Sequence, residues 1–99
     1  MTDLTYNGWT NYETWVVNLW LTNDSDSVEV LNHMAQDCLA HLPERADAVW
    51  ELAKRLEEDH DELKPELNGP FADLLNHALG CVNWREIAAY IIEENLLEA

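Results

Sequence analysis

Apolar residues recur along most of this chain at spacings of three and four, the mark of helices that bury one face. Tyr12, Trp15, Val16, Leu19 and Trp20 stand at i, i+3, i+4, i+7 and i+8 and predict a first helix ending near Thr22-Asn23. Val28, Leu31, Met34, Ala35, Cys38, Leu39 and Leu42 predict the inner face of a second. A third starts at Pro43, which suits a first helical turn because its missing N–H has no partner to lose there. Its predicted inner residues are Ala46, Val49, Trp50, Ala53 and Leu56. The run Glu57 to Glu62 is polar on every side and predicts fraying. Leu63 to Gly69, with Pro65 and Asn68-Gly69, reads as a loop. Pro70 opens a fourth helix carrying Phe71, Leu74, Leu75, Ala78, Leu79 and Val82, with Gly80 as its stop. Trp84, Ile87, Ala88, Ile91 and Ile92 give the fifth. No segment alternates with period two, so the prediction is one all-α domain of five short helices over residues 1–99.

The polar residues between the stripes punctuate them. Asn7-Gly8 is a turn signal. Thr10-Asn11-Tyr12-Glu13 and Asn83-Trp84-Arg85-Glu86 both fit capping boxes, in which a short polar side chain accepts from the N–H three residues on and the acid reaches back. Asp24-Ser25-Asp26-Ser27 offers further N-caps and places acid at the positive end of a helix dipole.

Composition then narrows the function. The chain has 99 residues, with 20 Asp or Glu against 5 Lys or Arg, for a formal charge of −15. Phosphates would repel such a surface, which argues against direct binding of DNA, RNA or an anionic membrane. High net charge often accompanies disorder, but 47% hydrophobic residues and 5 Trp supply a core. A domain of this size buries roughly 60–70% of its unfolded surface. Cys38 and Cys81 fall in apolar helical patterns and read as free buried thiols, which implies a reducing, cytoplasmic setting. Residues 1–23 hold no Lys or Arg ahead of an apolar run, so no signal peptide is expected. The apolar stretches are far shorter than the roughly 20 residues that span a bilayer.

The run Gly8-Trp9-Thr10-Asn11-Tyr12-Glu13-Thr14-Trp15, continued by Asn18-Leu19-Trp20-Leu21, resembles the opening of a family of short proteins encoded by phages, plasmids and bacterial genomes, mostly of unknown function. The segment from Asp73-Leu74-Leu75 through Asn83-Trp84-Arg85-Glu86-Ile87-Ala88 is similar to that family's ending. About residues 25–65 are left unmatched. The resemblance implies a mobile-element context and carries no catalytic residues.

The arrangement of acid is the strongest functional signal. Acids exceed bases over residues 1–23, 24–42, 43–69 and 70–99 alike, by two, four, five and four charges. On the third helix Glu44, Asp47, Glu51, Glu58 and Glu62 recur near one outward stripe, with carboxylates about 5–6 Å apart. Phosphates along a DNA strand recur at a comparable interval. The expected function is therefore a non-enzymatic acidic protein, a monomer or dimer, that occupies a basic nucleic-acid groove on a host protein such as a CRISPR effector or restriction complex. The expected surface is Glu44, Asp47, Glu51, Glu58, Asp59, Asp61 and Glu62, with Asp26, Glu29 and Asp37 as a second set. Lys54 and Arg55 interrupt the stripe. The alternative is a regulatory or scaffolding module whose acid serves solubility.

Other residues carry weaker chemistry. Tyr6, Trp9, Tyr12, Trp15 and Trp20 crowd together; phasing assigns Tyr12, Trp15 and Trp20 to the core and leaves Trp9 and Tyr6 as candidate partner anchors. His33, Asp37 and His41 share a helical face beside Cys38, but the ends lie about 12 Å apart at 1.5 Å per residue, too far for one metal. A site there, in a metal-dependent enzyme, would need His60 or His77 as a further ligand. Glu13 and Glu86 read as capping acids rather than catalytic ones. Neither Asp59 to Glu66, without the central Gly, nor Asp24 to Glu29, too short, fits a Ca²⁺ loop. No cofactor is expected.

Overall fold

The structure is a computed structural model and describes residues 5–97. Among these, five helices form: α1 Tyr12–Thr22, α2 Ser25–His41, α3 Arg45–Leu63, α4 Pro70–Cys81 and α5 Trp84–Leu97. Ahead of them, Asn7 and Gly8 take positive φ (48° and 88°) and close a tight turn in which Tyr6 and Trp9 exchange both backbone hydrogen bonds at 2.8 Å. Two successive left-handed residues are what an Asn-Gly turn of the primed type requires.

The core is the trio α2, α3 and α5. Leu31, Ala35 and Cys38 from α2, Ala48, Val49, Leu52 and Leu56 from α3, and Trp84, Ile87, Ala88, Ile91 and Ile92 from α5 are buried together, with Val82 at the edge. The stripes predicted for α2 and α5 hold, with all five inward α5 residues buried. In α3 the phase is turned: Ala48 and Leu52 are fully buried, while Ala46 is exposed and Trp50 is 56% exposed beneath the Lys54 ammonium. Because α3 packs against both α2 and α5, its buried face is wider than a single stripe and centres on Leu52.

Two expectations about helix ends are corrected. The acidic run does not fray, and α3 continues to Leu63, closed by a bond from the Lys64 N–H to the His60 carbonyl. Leu56 is buried, the His60 ring lies 4.8 Å from that of Trp84, and Lys64 pairs with Asp61 at 3.0 Å. These contacts anchor a turn whose outward residues are charged. Gly80 does not stop α4, which runs one residue further to Cys81. There the Asn11 amide donates to the Cys81 carbonyl at 2.7 Å, capping the helix from another part of the chain.

α1 and α4 sit outside the trio. α4 buries no residue fully, and Phe71 and Leu74, predicted to face inward, are largely exposed. α1 is also rotated from its predicted phase. Tyr12, Leu19 and Trp20 are exposed, Trp20 at 72%, while Thr14 is fully buried and Val17 and Leu21 pack on the core. The cause is a polar lock. Asn11, and not Thr10, is the N-cap of α1: its Oδ1 accepts from the Thr14 N–H at 2.9 Å and the Thr14 hydroxyl at 2.6 Å. The Thr14 Oγ1 then accepts from the Asn83 N–H at 2.8 Å. Asn83 accepts in turn from the Glu86 N–H at 3.1 Å and donates through Nδ2 to the Thr10 hydroxyl at 3.3 Å. Glu86 takes the Thr10 N–H at 3.0 Å rather than reaching back to Asn83. The two capping boxes therefore cap each other's segments, and the buried Thr14 hydroxyl decides which face of α1 turns inward.

Candidate binding surface

The acids form the broadest chemically distinctive surface, and the structure sorts them by whether a cation already holds them. On α3, Arg55 binds Glu51 at 3.3 Å and reaches across to Asp37 of α2 at 2.8 Å. That hydrogen bond holds the Asp37 carboxyl below the usual carboxylate range and raises the Arg55 guanidinium in turn. Asp61 is paired with Lys64, and Glu93 with Arg45. Glu51, Asp61 and Asp37 are thus engaged within the molecule. Glu44, Asp47, Glu58, Asp59 and Glu62 are exposed and make no ion pair among the described residues.

The outward stripe of α3 is consequently divided. Glu44 and Asp47 lie at its start and Glu58, Asp59 and Glu62 at its end, with Arg55 between them. The interval from Asp47 to Glu58 is about 16 Å at 1.5 Å per residue. Because α2 and α3 run antiparallel, the second set divides as well. Asp37 faces Arg55, whereas Asp26 lies across a groove from Asp59. Glu29, on the outer side of α2, stands 4.0 Å from His33.

Tyr6 and Trp9 both make ring contacts within the molecule. Tyr6 lies 5.2 Å from Tyr12 and 4.9 Å from Trp15, so the leading turn folds back over the outer face of α1. Trp9 packs on the core and against Tyr90 of α5 at 5.7 Å. It reaches across the fold instead of stapling the first turn of its own helix. Trp9 is partly buried, whereas Tyr6 stays 40% exposed beside Tyr12 and Trp15. Further exposed apolar side chains include Trp20, Val30, Trp50, Leu63, Phe71 and Leu74. An i, i+3, i+4 count cannot foresee these, because most of them stand within regular apolar stripes.

The metal strip read from α2 is held by other bonds. The His41 ring Nδ1 lies 2.9 Å from the Asp37 carbonyl, and the His60 Nδ1 lies 2.8 Å from that of Leu56. Among the described residues no three His, Cys, Asp or Glu side chains come together to hold a metal ion. Cys38 and Cys81 are free thiols, Cys38 fully buried and its thiol pushed up by that burial. The Cys81 sulfur is 3.5 Å from His77 Nε2, at the carbonyl end of α4.

These features define a small acidic all-α protein: a three-helix core, two polar-locked outer helices, and carboxylates on every side. No described helix is long and apolar enough to cross a membrane. The chain belongs to a family of unknown function, DUF7249, whose model matches residues 2–98. No curated protein and no solved structure matches it. The family spans the middle of the chain as well as the two end segments that carry the resemblance, and those two segments are the two sides of the polar lock.

Proposed function

We propose that this protein is a non-enzymatic acidic binding module that engages a basic, nucleic-acid-binding surface of another protein in place of the nucleic acid. The reading extends to a mobile-element inhibitor of a host defence complex, of the CRISPR or restriction type. The observation that supports it is the regularity of α3 through its acidic end. Glu58, Asp59 and Glu62 project from a helix whose inner face is anchored by Leu56 and His60, so their spacing is set by the backbone. A partner that matches this spacing meets charges already in place and orders few side chains beyond the carboxylates themselves.

A second reading, a scaffold whose acid serves solubility, draws support from the exposed Trp20, Phe71 and Leu74. Affinity capture from bacterial lysate at low and moderate salt separates the two. Mimicry predicts recovery of nucleic-acid-binding proteins, lost as salt rises, and lost in Glu58→Lys/Asp59→Lys/Glu62→Lys with helical circular dichroism intact. Capture insensitive to both changes but abolished by Trp20→Ala overturns mimicry in favour of the scaffold.

A further inference from the structure

Acids from the start of α2 and the end of α3 flank an apolar groove, and its chemistry specifies an occupant. The groove, about 320 Å³, opens between the start of α2 and the end of α3. Its apolar lining is Leu21, Val30, Leu31, Met34, Leu56 and Leu63. Leu31 and Leu56 are its buried floor, while Val30 and Leu63 are 58% and 79% exposed and form opposite walls. Asp26 and Asp59 line the groove beside those walls. One helical step further out stand Glu29 on α2 and Glu62 on α3. Lys and Arg are missing from the lining, and the nearby cations are engaged: Arg55 with Asp37 and Glu51, Lys64 with Asp61 and Asn76.

We propose that this groove docks a cationic amphipathic helix of a partner protein, its apolar ridge between Val30 and Leu63 and its Lys or Arg flanks against Asp26, Glu29, Asp59 and Glu62. The proposal rests on the acidic-module reading and narrows the partner from any basic surface to a helix with an apolar face. Three physical points select that occupant. The walls are helices whose backbone groups are satisfied internally, so an extended peptide would find no sheet edge and would leave its own N–H and C=O groups unpaired on an apolar floor. A helix satisfies its own backbone and presents side chains at i, i+3 and i+7. The groove spans about 12 Å along α2, from Asp26 to Met34 at 1.5 Å per residue, room for two turns. Its acidic rim repels the exposed apolar helix α4 of a second copy, which carries Asp73 and no Lys or Arg, and it repels nucleic acid.

The test uses the full chain and fluorescent peptides of about 15 residues, long enough to hold a helix. One peptide carries Leu at i, i+3 and i+7 with Lys on both flanks; a scrambled peptide has the same composition and charge. The amphipathic peptide is expected to bind at least about tenfold more tightly than the scrambled one. Val30→Ser/Leu63→Ser, which alters two exposed side chains, is expected to erase that difference while leaving the scrambled peptide's binding unchanged. Asp26→Asn/Asp59→Asn is expected to weaken both peptides and flatten the salt dependence. Equal binding of the two peptides, or indifference to Val30→Ser/Leu63→Ser, overturns the groove and leaves the acidic-module reading standing. No binding of either peptide at low salt overturns both.

Discussion

The α2–α3–α5 trio and the α1–α4 pair are held by different forces, and the difference shows in what each exposes. In the trio, Leu52, Leu56, Ile87 and Ile92 are sealed from solvent, and apolar burial sets which faces meet. In the outer pair the fully buried side chain is a threonine, and α4 leaves Phe71 and Leu74 in water. Apolar burial is non-directional and scales with area, so it tolerates small rotations of a helix. Hydrogen bonds from Asn11, Thr14, Asn83 and Glu86 are directional, so they fix the rotation of α1 even against its own apolar stripe. The trio supplies stability and the lock supplies placement.

Leu52→Ala is the largest perturbation this contrast allows. Leu52 is fully buried where α3 meets both neighbours. The cavity and lost transfer energy are expected to cost about 2–5 kcal/mol in urea unfolding, enough to threaten a domain with about 5–15 kcal/mol in hand. A loss below about 1 kcal/mol would mean that the trio is not the stabilising unit.

Asn11→Ala attacks the lock. It removes the α1 cap, worth about 1 kcal/mol, and leaves the buried Thr14 hydroxyl and the Cys81 carbonyl short of partners at about 1–3 kcal/mol more. The two cysteines report which region yields, because Cys38 lies in the trio and Cys81 at the end of α4. Thiol labelling under native conditions is expected to accelerate strongly at Cys81 and only in proportion to global unfolding at Cys38. Equal acceleration at both would show that the lock and the trio open as one unit.

Thr14→Val is smaller and more pointed. The shape is kept, the donor to Asn11 is lost and the Asn83 N–H is stranded, at about 1–3 kcal/mol. Combined with Asn11→Ala, the loss is expected to fall short of the sum, since both variants break one network. Additive losses would mean that the Asn11 and Thr14 bonds act independently.

What the residue pattern discloses follows the same division. The stripes of α2 and α5 are legible because a helix facing one core writes its buried face at i, i+3 and i+4. α3 is half-legible: packed on two sides, it buries Ala48 and Leu52 outside the counted stripe. α1 misleads because Tyr12 and Trp20 outweigh Thr14 in any hydrophobic count, and only the partner Asn83, 69 residues away, makes that threonine the inward residue. The capping boxes are visible as local signals, but their exchange of Glu86 and Thr10 is a tertiary fact. Among the acids, composition discloses the charge, while the cations that silence Glu51, Asp61 and Asp37 depend on side-chain placement and, for Asp37, on the antiparallel pairing of α2 and α3.

The smallest expected effect lies at the seam between groove and trio, in the Asp37–Arg55 pair. The Arg55 hydrogen bond lowers the folded-state carboxyl of Asp37 relative to the unfolded chain. Its contribution is therefore fully present above the unfolded value, about pH 4, and is lost as pH falls through the lower folded value. Absolute stability is a poor readout, because acidification also relieves the repulsion behind a charge of −15. The difference between wild type and Asp37→Asn cancels that background. It is expected to favour wild type by a small amount above about pH 5 and to shrink as pH falls below the unfolded value of about 4. Raising the salt is expected to reduce it at every pH, since both groups are solvent-accessible. A difference that does not shrink at all as pH falls below the unfolded value would mean that the carboxylate charge contributes nothing to holding α2 against α3 beside the groove, and that the Arg55 contact acts there through hydrogen bonding alone.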